Sequence, residues 1–123
     1  MCIRDRSNAV LADCFQALWM LTENEAYRSN ANAIIEAYQD AAADFPVATA
    51  SFRLSKLHNE TGWKLLKVQS EGSTDDWNEL LSEFLPTTVL TRFSLPGAYK
   101  YMLCDDKQCY SPVTNLSDLK KLL

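Results

Sequence analysis

Two cysteines near the C-terminus, Cys104 and Cys109, have a spacing that could do chemistry. The four residues between them, DDKQ, match the loop of a hairpin that joins two strands. Opposed residues of paired strands lie about 4.5–5.5 Å apart, within the range that a disulfide spans. The pattern permits a disulfide, a dithiol switch, half of a metal site, or two reduced thiols that only fill space in a hairpin.

The surrounding residues narrow these alternatives. A structural zinc site needs four ligands, and the other candidates, Cys14 and His58, lie far away in the first half of the chain. Catalytic dithiols have Cys-x-x-Cys spacing, and the two aspartates of the loop raise a thiol pKa instead of lowering it. We therefore expect Cys104 and Cys109 to be a structural or a redox pair, with no catalytic residue, no metal and no cofactor.

Other catalytic patterns are missing from the sequence. The three glycines are far apart, so no glycine-rich phosphate loop can form, and there is no Gly-x-Ser-x-Gly turn. The single histidine, His58, lies near the end of a predicted helix and is interpreted as a solvated C-terminal cap of that helix.

The first half of the chain has helical periodicity. The first helix is predicted to end near Glu23, and Asn24 is predicted to cap the second. Pro46 suits the first turn of a third helix. A short loop after the first helix predicts an antiparallel hairpin. The predicted apolar stripes are Leu11, Cys14, Phe15 and Leu18, widened by Trp19, Met20 and Leu21; then Tyr27, Ala31, Ile34, Tyr38 and Ala41 or Ala42; then Val47, Ala50, Leu54 and Leu57.

The second half alternates strands and helices. Strands are predicted at residues 63–68, 87–93 and 98–104, with a short fourth at 108–111. A helix capped by Ser73 or Thr74 follows the first strand and ends before Pro86, and its predicted apolar face is Trp77, Leu80, Leu81 and Phe84. The strand–helix–strand order predicts a parallel pair.

The last predicted element is a helix capped by Asn115, with Leu116, Leu119, Leu122 and Leu123 as its buried side. The expected fold class is α+β, with two to three antiparallel helices over residues 7–60 and a small mixed β-α-β-β-α unit over residues 61–123.

Composition excludes several classes of partner. The 123 residues carry a net charge of −4 without a basic patch, so nucleic acid is not an expected partner. No window approaches the roughly eighteen apolar residues of a membrane span. Cys2 belongs to the first six residues, which are discussed below, and three other cysteines remain. Three is an odd number and too few for the disulfide framework of a small secreted protein. We therefore expect the protein to reside in a reducing compartment, the cytoplasm.

The first residues, MCIRDR, show no periodicity. Their first five match a translation of the transposon-end sequence used to prepare sequencing libraries. We therefore interpret residues 1–6 as adapter-derived and expect the natural protein to continue upstream.

Two motifs together resemble a protein family. Ser7, Asn8, Leu18, Leu21, Thr22 and Tyr27 resemble the last helical hairpin of thioredoxin-domain proteins of the YyaL and spermatogenesis-associated type. Tyr101, Cys104, Cys109, Pro112 and Thr114 resemble the C-terminus of the same family, where Cys-x4-Cys-x-x-Pro-x-Thr precedes a leucine-containing helix.

The resemblance implies a long protein with an N-terminal thioredoxin-like domain and an α/α toroid similar to N-acylglucosamine 2-epimerases and six-hairpin glycosidases. The chain would be its non-catalytic C-terminal part, linked to carbohydrate metabolism, with the missing N-terminal part as its partner and non-specific self-association as a consequence of exposed faces. The alternatives are a stand-alone protein-interaction module and a small redox module that uses Cys104 and Cys109.

Overall fold

The computed structural model describes residues 2–45, 47, 49–71 and 74–123. The chain divides into two compact units, Met1–Trp63 and Lys64–Leu123. Within the described residues, the first unit is helical and the second holds a three-stranded mixed sheet with two helices, so the fold class is α+β.

Three helices form the first unit: α1 (Cys2–Thr22), α2 (Glu25–Asp44) and α3 (Ala50–Thr61). The backbone of residues 2–6, for which the sequence predicted no element, belongs to α1, while Met1 lies outside the described residues. The predicted start of α3 at Pro46 also lies outside them, and the helix begins at Ala50.

The turn between α1 and α2 follows the predicted cap. Glu23 takes a φ of 57°, and its N–H bonds to the Trp19 carbonyl, which closes α1 in a left-handed cap. The Asn24 side chain then accepts a hydrogen bond of 3.0 Å from the N–H of Ala26. The predicted cap at Asn24 is confirmed, and the two-residue connection makes α1 and α2 a helical hairpin.

The buried face of α1 differs from the predicted stripe. The residues inside the unit are Ala9, Ala12, Gln16, Trp19 and Met20. Leu11, Cys14 and Leu18 of the predicted apolar stripe are exposed, whereas Trp19 and Met20, which were predicted to widen that stripe, are buried. Ala9 and Ala12 belong to one core cluster with Ile35, Ala42 and Phe52 of the other two helices.

Helix α2 follows its predicted stripe closely, with Ala31 and Ala42 buried as expected, whereas α3 departs from its predicted stripe. On α2 the buried positions are Ala31, Ile35 and Ala42. On α3 Phe52 and Ser55 are buried, while Leu54 and Leu57 of the predicted stripe are about half exposed. The ring of Phe52 packs 5.6 Å from that of Tyr38, and this aromatic pair anchors α3 on α2.

The second unit contains, in chain order, β1 (Lys64–Gln69), α4 (Thr74–Ser82), β2 (Thr88–Phe93), β3 (Tyr101–Cys104) and α5 (Leu116–Leu122). The strand order is β2-β1-β3. Strand β1 pairs in parallel with β2, as the strand–helix–strand order predicted, and antiparallel with β3.

The core of the second unit consists of side chains from the sheet and both helices. Its fully or almost fully buried members are Leu66, Val68, Leu80, Tyr101, Leu103 and Leu119. Two residues of the predicted α4 face, Leu81 and Phe84, are exposed, because the helix ends at Ser82 and turns a single narrow stripe inward.

The end of the chain returns along β3 without forming a regular strand. The predicted strand at residues 108–111 is replaced by two isolated bridges, which pair Cys104 with Cys109 and Tyr101 with Val113. Asn115 then caps α5, as predicted, by accepting a hydrogen bond of 2.8 Å from the N–H of Asp118. This cap directs Leu119 into the core.

Candidate functional site

The cysteine hairpin follows the end of β3. Cys104 is the last residue of the strand and pairs with Leu65 of β1, so its backbone is fixed by the sheet. Cys109 lies opposite, with its Cα atom 3.9 Å from that of Cys104, and a disulfide joins the two sulfurs. The structure thus brings the two predicted residues together. Cys104 is 4% exposed, whereas Cys109 is an exposed residue.

Backbone hydrogen bonds flank the disulfide on both sides. The N–H of Asp105 donates a hydrogen bond of 2.8 Å to the Gln108 carbonyl, and the N–H of Tyr110 donates one of 2.8 Å to the Leu103 carbonyl. The cysteines therefore occupy the narrow, non-hydrogen-bonded position of an antiparallel pair, where side chains approach most closely. This position explains how a four-residue loop places two sulfurs in bonding contact.

Asp105 holds the loop from inside. One carboxylate oxygen accepts hydrogen bonds of 2.8 Å from the N–H groups of Lys107 and Gln108, and the other accepts one of 2.8 Å from the Tyr110 hydroxyl. These hydrogen bonds hold the pKa of the Asp105 carboxyl below its ordinary value, and the bond from the Lys107 N–H has the largest effect. This role of Asp105 was not predicted from the sequence, although aspartate at the start of a turn is a signal for such a motif.

A second polar cluster, which was not predicted from the sequence, lies in the helical unit. Asp13 of α1 accepts a hydrogen bond of 2.7 Å from the Ser55 hydroxyl, and its other oxygen lies 3.4 Å from His58 Nδ1. His58 lies in the last turn of α3, as predicted, but it is paired with the Asp13 carboxylate and is not simply solvated. The three residue types are those of a hydrolytic triad, but here the aspartate lies between serine and histidine. Without a serine–histidine contact, the imidazole cannot take the proton of the hydroxyl.

Amide side chains extend this cluster along α1. Gln16, which is 2% exposed, donates a hydrogen bond to Asn59, and Asn59 donates one of 3.3 Å to Asn32 of α2. The network joins all three helices through satisfied polar groups. Such a network specifies how the helices pack, because a misplaced helix would leave buried polar groups unpaired.

No group of three or more histidine, cysteine, aspartate or glutamate side chains that could hold a metal ion occurs among the described residues. Over the same part of the chain, no helix has both the length and the apolar character needed to cross a membrane.

A further functional feature is the outer face of α1, which we define as Val10, Leu11, Cys14, Leu18 and Leu21. All five residues are exposed. Leu11, Cys14, Leu18 and Leu21 follow the alternating three- and four-residue spacing of a helix-packing seam. Contiguous exposed apolar residues on a protein surface often mark an interaction site.

Comparisons with protein-family models, with curated proteins and with solved structures find no match for this chain. The cysteine hairpin and the outer face of α1 are therefore the features from which a function is inferred.

Proposed function

We propose that the chain is the non-catalytic C-terminal region of a larger thioredoxin-domain protein, and that its helices pack against further helices of an α/α toroid. The observation that carries this proposal is the outer face of α1. Leu11, Leu18 and Leu21 are 44%, 38% and 47% exposed, although they lie in one continuous apolar stripe.

The charge distribution of α1 supports the same conclusion. From Ser7 to Thr22 the only charged residue is Asp13. That carboxylate is directed towards Ser55 and His58 of α3 and not towards the outer face. A surface helix normally carries charged residues opposite its buried stripe, and a helix that is apolar on both sides is normally covered on both sides.

The groove between α2 and α3 provides apolar surface on another side of the unit. It is an open depression lined by the apolar Ala42, Ala43, Leu54 and Leu57, with the polar Gln39, Arg53, Lys56 and Glu60 beside them. Helices of a toroid or solenoid have neighbours on two sides, whereas a stand-alone three-helix domain would bury these residues among themselves. The groove and the outer face of α1 together suit a segment taken from a larger helical array.

The family resemblance supports an α/α toroid as that array. Leu18 and Leu21 belong both to the resembling hairpin motif and to the outer face of α1. The proposal therefore includes the parts that follow from the resemblance: a parent protein linked to carbohydrate metabolism and located in the cytoplasm. The chain itself contributes packing surface and no catalytic group.

The first test is to read the genomic DNA upstream of the codon for Ser7. We expect an open frame that encodes further helical hairpins and, before them, a thioredoxin-like domain. An in-frame stop codon just upstream, or a natural frame that encodes the residues MCIRDR after a start codon, would contradict the proposal.

The second test measures self-association of the chain by analytical ultracentrifugation. We expect association that increases with concentration, because the outer face of α1 lacks its natural cover. Leu18→Glu should weaken association while leaving the melting temperature almost unchanged. The matched control is Leu81→Glu, which places the same charge at an exposed leucine of α4 and should leave association unaltered.

A chain that stays monomeric at high concentration and melts in a single sharp transition would contradict the proposal and favour a stand-alone interaction module. Equal effects of Leu18→Glu and Leu81→Glu would show that general surface charge, and not the outer face of α1, controls association.

A further inference from the structure

The disulfide has an unequal environment on its two sides. Cys104 is buried at the end of β3, while Cys109 is exposed on the return segment. Thiol–disulfide exchange requires a thiolate to reach one of the two sulfurs, so the exposed cysteine is the point of attack. The buried cysteine is then the leaving group.

We propose that Cys104–Cys109 is a reversible redox site that exchanges with dithiols and resists monothiols. A thiolate of the dithiol attacks Cys109 Sγ, the sulfur–sulfur bond breaks, and Cys104 Sγ leaves with the electron pair and takes a proton. The second thiol of the reductant then attacks the mixed disulfide and releases Cys109 as a thiol. The dithiol becomes a cyclic disulfide, and two electrons and two protons pass to the protein. The proposal is independent of the one made for the outer face of α1.

Reversibility follows from contacts that do not involve sulfur. Asp105 keeps its hydrogen bonds to the loop amides and to Tyr110, and Tyr110 keeps its backbone bond to Leu103. Further along, Val113 exchanges backbone hydrogen bonds of 2.9 and 3.1 Å with Tyr101. The opened hairpin therefore retains its shape, and the two thiols remain opposite each other.

Selectivity for dithiols follows from the same geometry. After a monothiol attacks, the released Cys104 thiol faces the mixed disulfide at Cys109 and displaces the monothiol again. A second monothiol molecule must compete with this intramolecular step, which has a high effective concentration. A dithiol escapes the competition because its own second thiol is also held in place.

The compartment expected from the cysteine count agrees with such a site. Persistent structural disulfides belong to oxidising compartments, and those in the cytosol are usually transient or redox-sensing. A disulfide that dithiols open, and that reforms without refolding of the chain, belongs with the transient or redox-sensing disulfides.

The experiment uses the full chain with Cys2 and Cys14 replaced by serine, so that only the pair is counted. The chain is incubated with dithiothreitol or with glutathione at equal total thiol concentration, then alkylated and analysed by mass spectrometry. We expect dithiothreitol to open the pair at least about tenfold faster than glutathione. The circular dichroism spectrum should be retained, and oxidised dithiothreitol should close the bond again.

Three variants test the mechanism. With Cys104→Ser, the remaining Cys109 should form a mixed disulfide with oxidised glutathione, whereas with Cys109→Ser the buried Cys104 should react much more slowly. Asp105→Ala keeps both cysteines but removes the loop contacts, so it should slow closure and reduce the difference between dithiothreitol and glutathione.

Several results would overturn the proposal. One is that dithiothreitol fails to open the disulfide in the folded chain, and another is that the fold is lost when the disulfide opens. The others are equal rates of opening by dithiothreitol and glutathione, and equally fast reactions of Cys104 and Cys109 in the single-cysteine variants. Each would instead indicate a purely structural disulfide or a hairpin that depends on it.

Discussion

The hydroxyl of Tyr101 on β3 donates a hydrogen bond of 2.8 Å to Asp76 Oδ2 on α4, while the tyrosine ring is buried in the core of the sheet unit. Lys100 Nζ lies 3.7 Å from the same carboxylate oxygen. Burial of the tyrosine and, as the second contribution, its hydrogen bond to Asp76 raise the pKa of Tyr101 far above its ordinary value. The contact links the edge strand to the helix that covers it.

The raised pKa of Tyr101 predicts a loss of stability in alkali. Above about pH 10 the unfolded chain releases the phenol proton, whereas the folded chain retains it. The stability contributed by this group is therefore complete below about pH 10 and declines as the pH rises further. Urea unfolding followed at a series of pH values between about 9 and about 11 measures this decline.

Tyr101→Phe should reduce that decline and cost about 1 kcal/mol at neutral pH, since one hydrogen bond is lost. Tyr99→Phe is the matched control, because Tyr99 is an exposed tyrosine two residues away. If both variants show the same pH dependence as the parent chain, Tyr101 does not cause it.

Leu119 is predicted to be the main anchor of α5. Its side chain is 0% exposed in the core, so Leu119→Ala should lower the free energy of unfolding by about 2–5 kcal/mol. The control is Leu122→Ala on the same helix, where the side chain is 39% exposed and the expected loss is below about 1 kcal/mol. Denaturant unfolding of both variants gives the comparison, and equal losses would show that α5 is not anchored by Leu119.

Asp13 is predicted to stabilise the helical unit through its two partners. Asp13→Ala leaves the buried Ser55 hydroxyl without its acceptor, which should cost about 1–3 kcal/mol. Asp40→Ala removes an exposed aspartate from α2 and should change stability by less than about 0.5 kcal/mol. Thermal unfolding measures both variants, and a loss no greater than the Asp40 control would show that the cluster contributes nothing.

Gly62 is predicted to be required by its backbone conformation alone. It follows α3 with φ 90° and ψ 152°, a region that side-chain-bearing residues rarely adopt. A Cβ atom built there meets no heavy atom within 4 Å, so Gly62→Ala adds strain without a clash. We expect a loss of about 1–3 kcal/mol in denaturant unfolding.

The control for Gly62→Ala is Glu60→Ala in the last turn of the same helix. Glu60 forms an exposed ion pair with Lys56 at 3.9 Å, and such pairs contribute little. A Gly62→Ala variant as stable as this control would contradict the conformational requirement.

The sequence predicted the elements of both units better than it predicted which faces they bury. The caps at Asn24 and Asn115 and the parallel pairing of β1 with β2 follow from local signals, and the structure confirms them. The inner face of α1 could not be identified in the same way, because both sides of the helix are apolar. Burial was decided by small residues and by the pairing of Gln16 with Asn59, which a hydrophobicity pattern does not reveal.

The cysteine hairpin was predictable in its spacing but not in its internal support. The distance of Cys109 from Cys104 along the chain implied a short loop between facing residues. The hydrogen bonds of Asp105 to the loop amides depend on the conformation of four consecutive residues, so the acidic loop was interpreted only as a charge. The pairing of Asp13 with Ser55 spans two helices and gives no local signal.

The central place of β1 in the sheet determines how the second unit can open. Leu66 pairs with Leu90 on one side and with Leu103 on the other. An edge strand can detach while β1 keeps its remaining neighbour, but the amide hydrogens of β1 as a whole are freed only when both ladders separate. In native-state hydrogen exchange, β1 therefore reports the global opening of this unit, and β2 and β3 report smaller, partial openings.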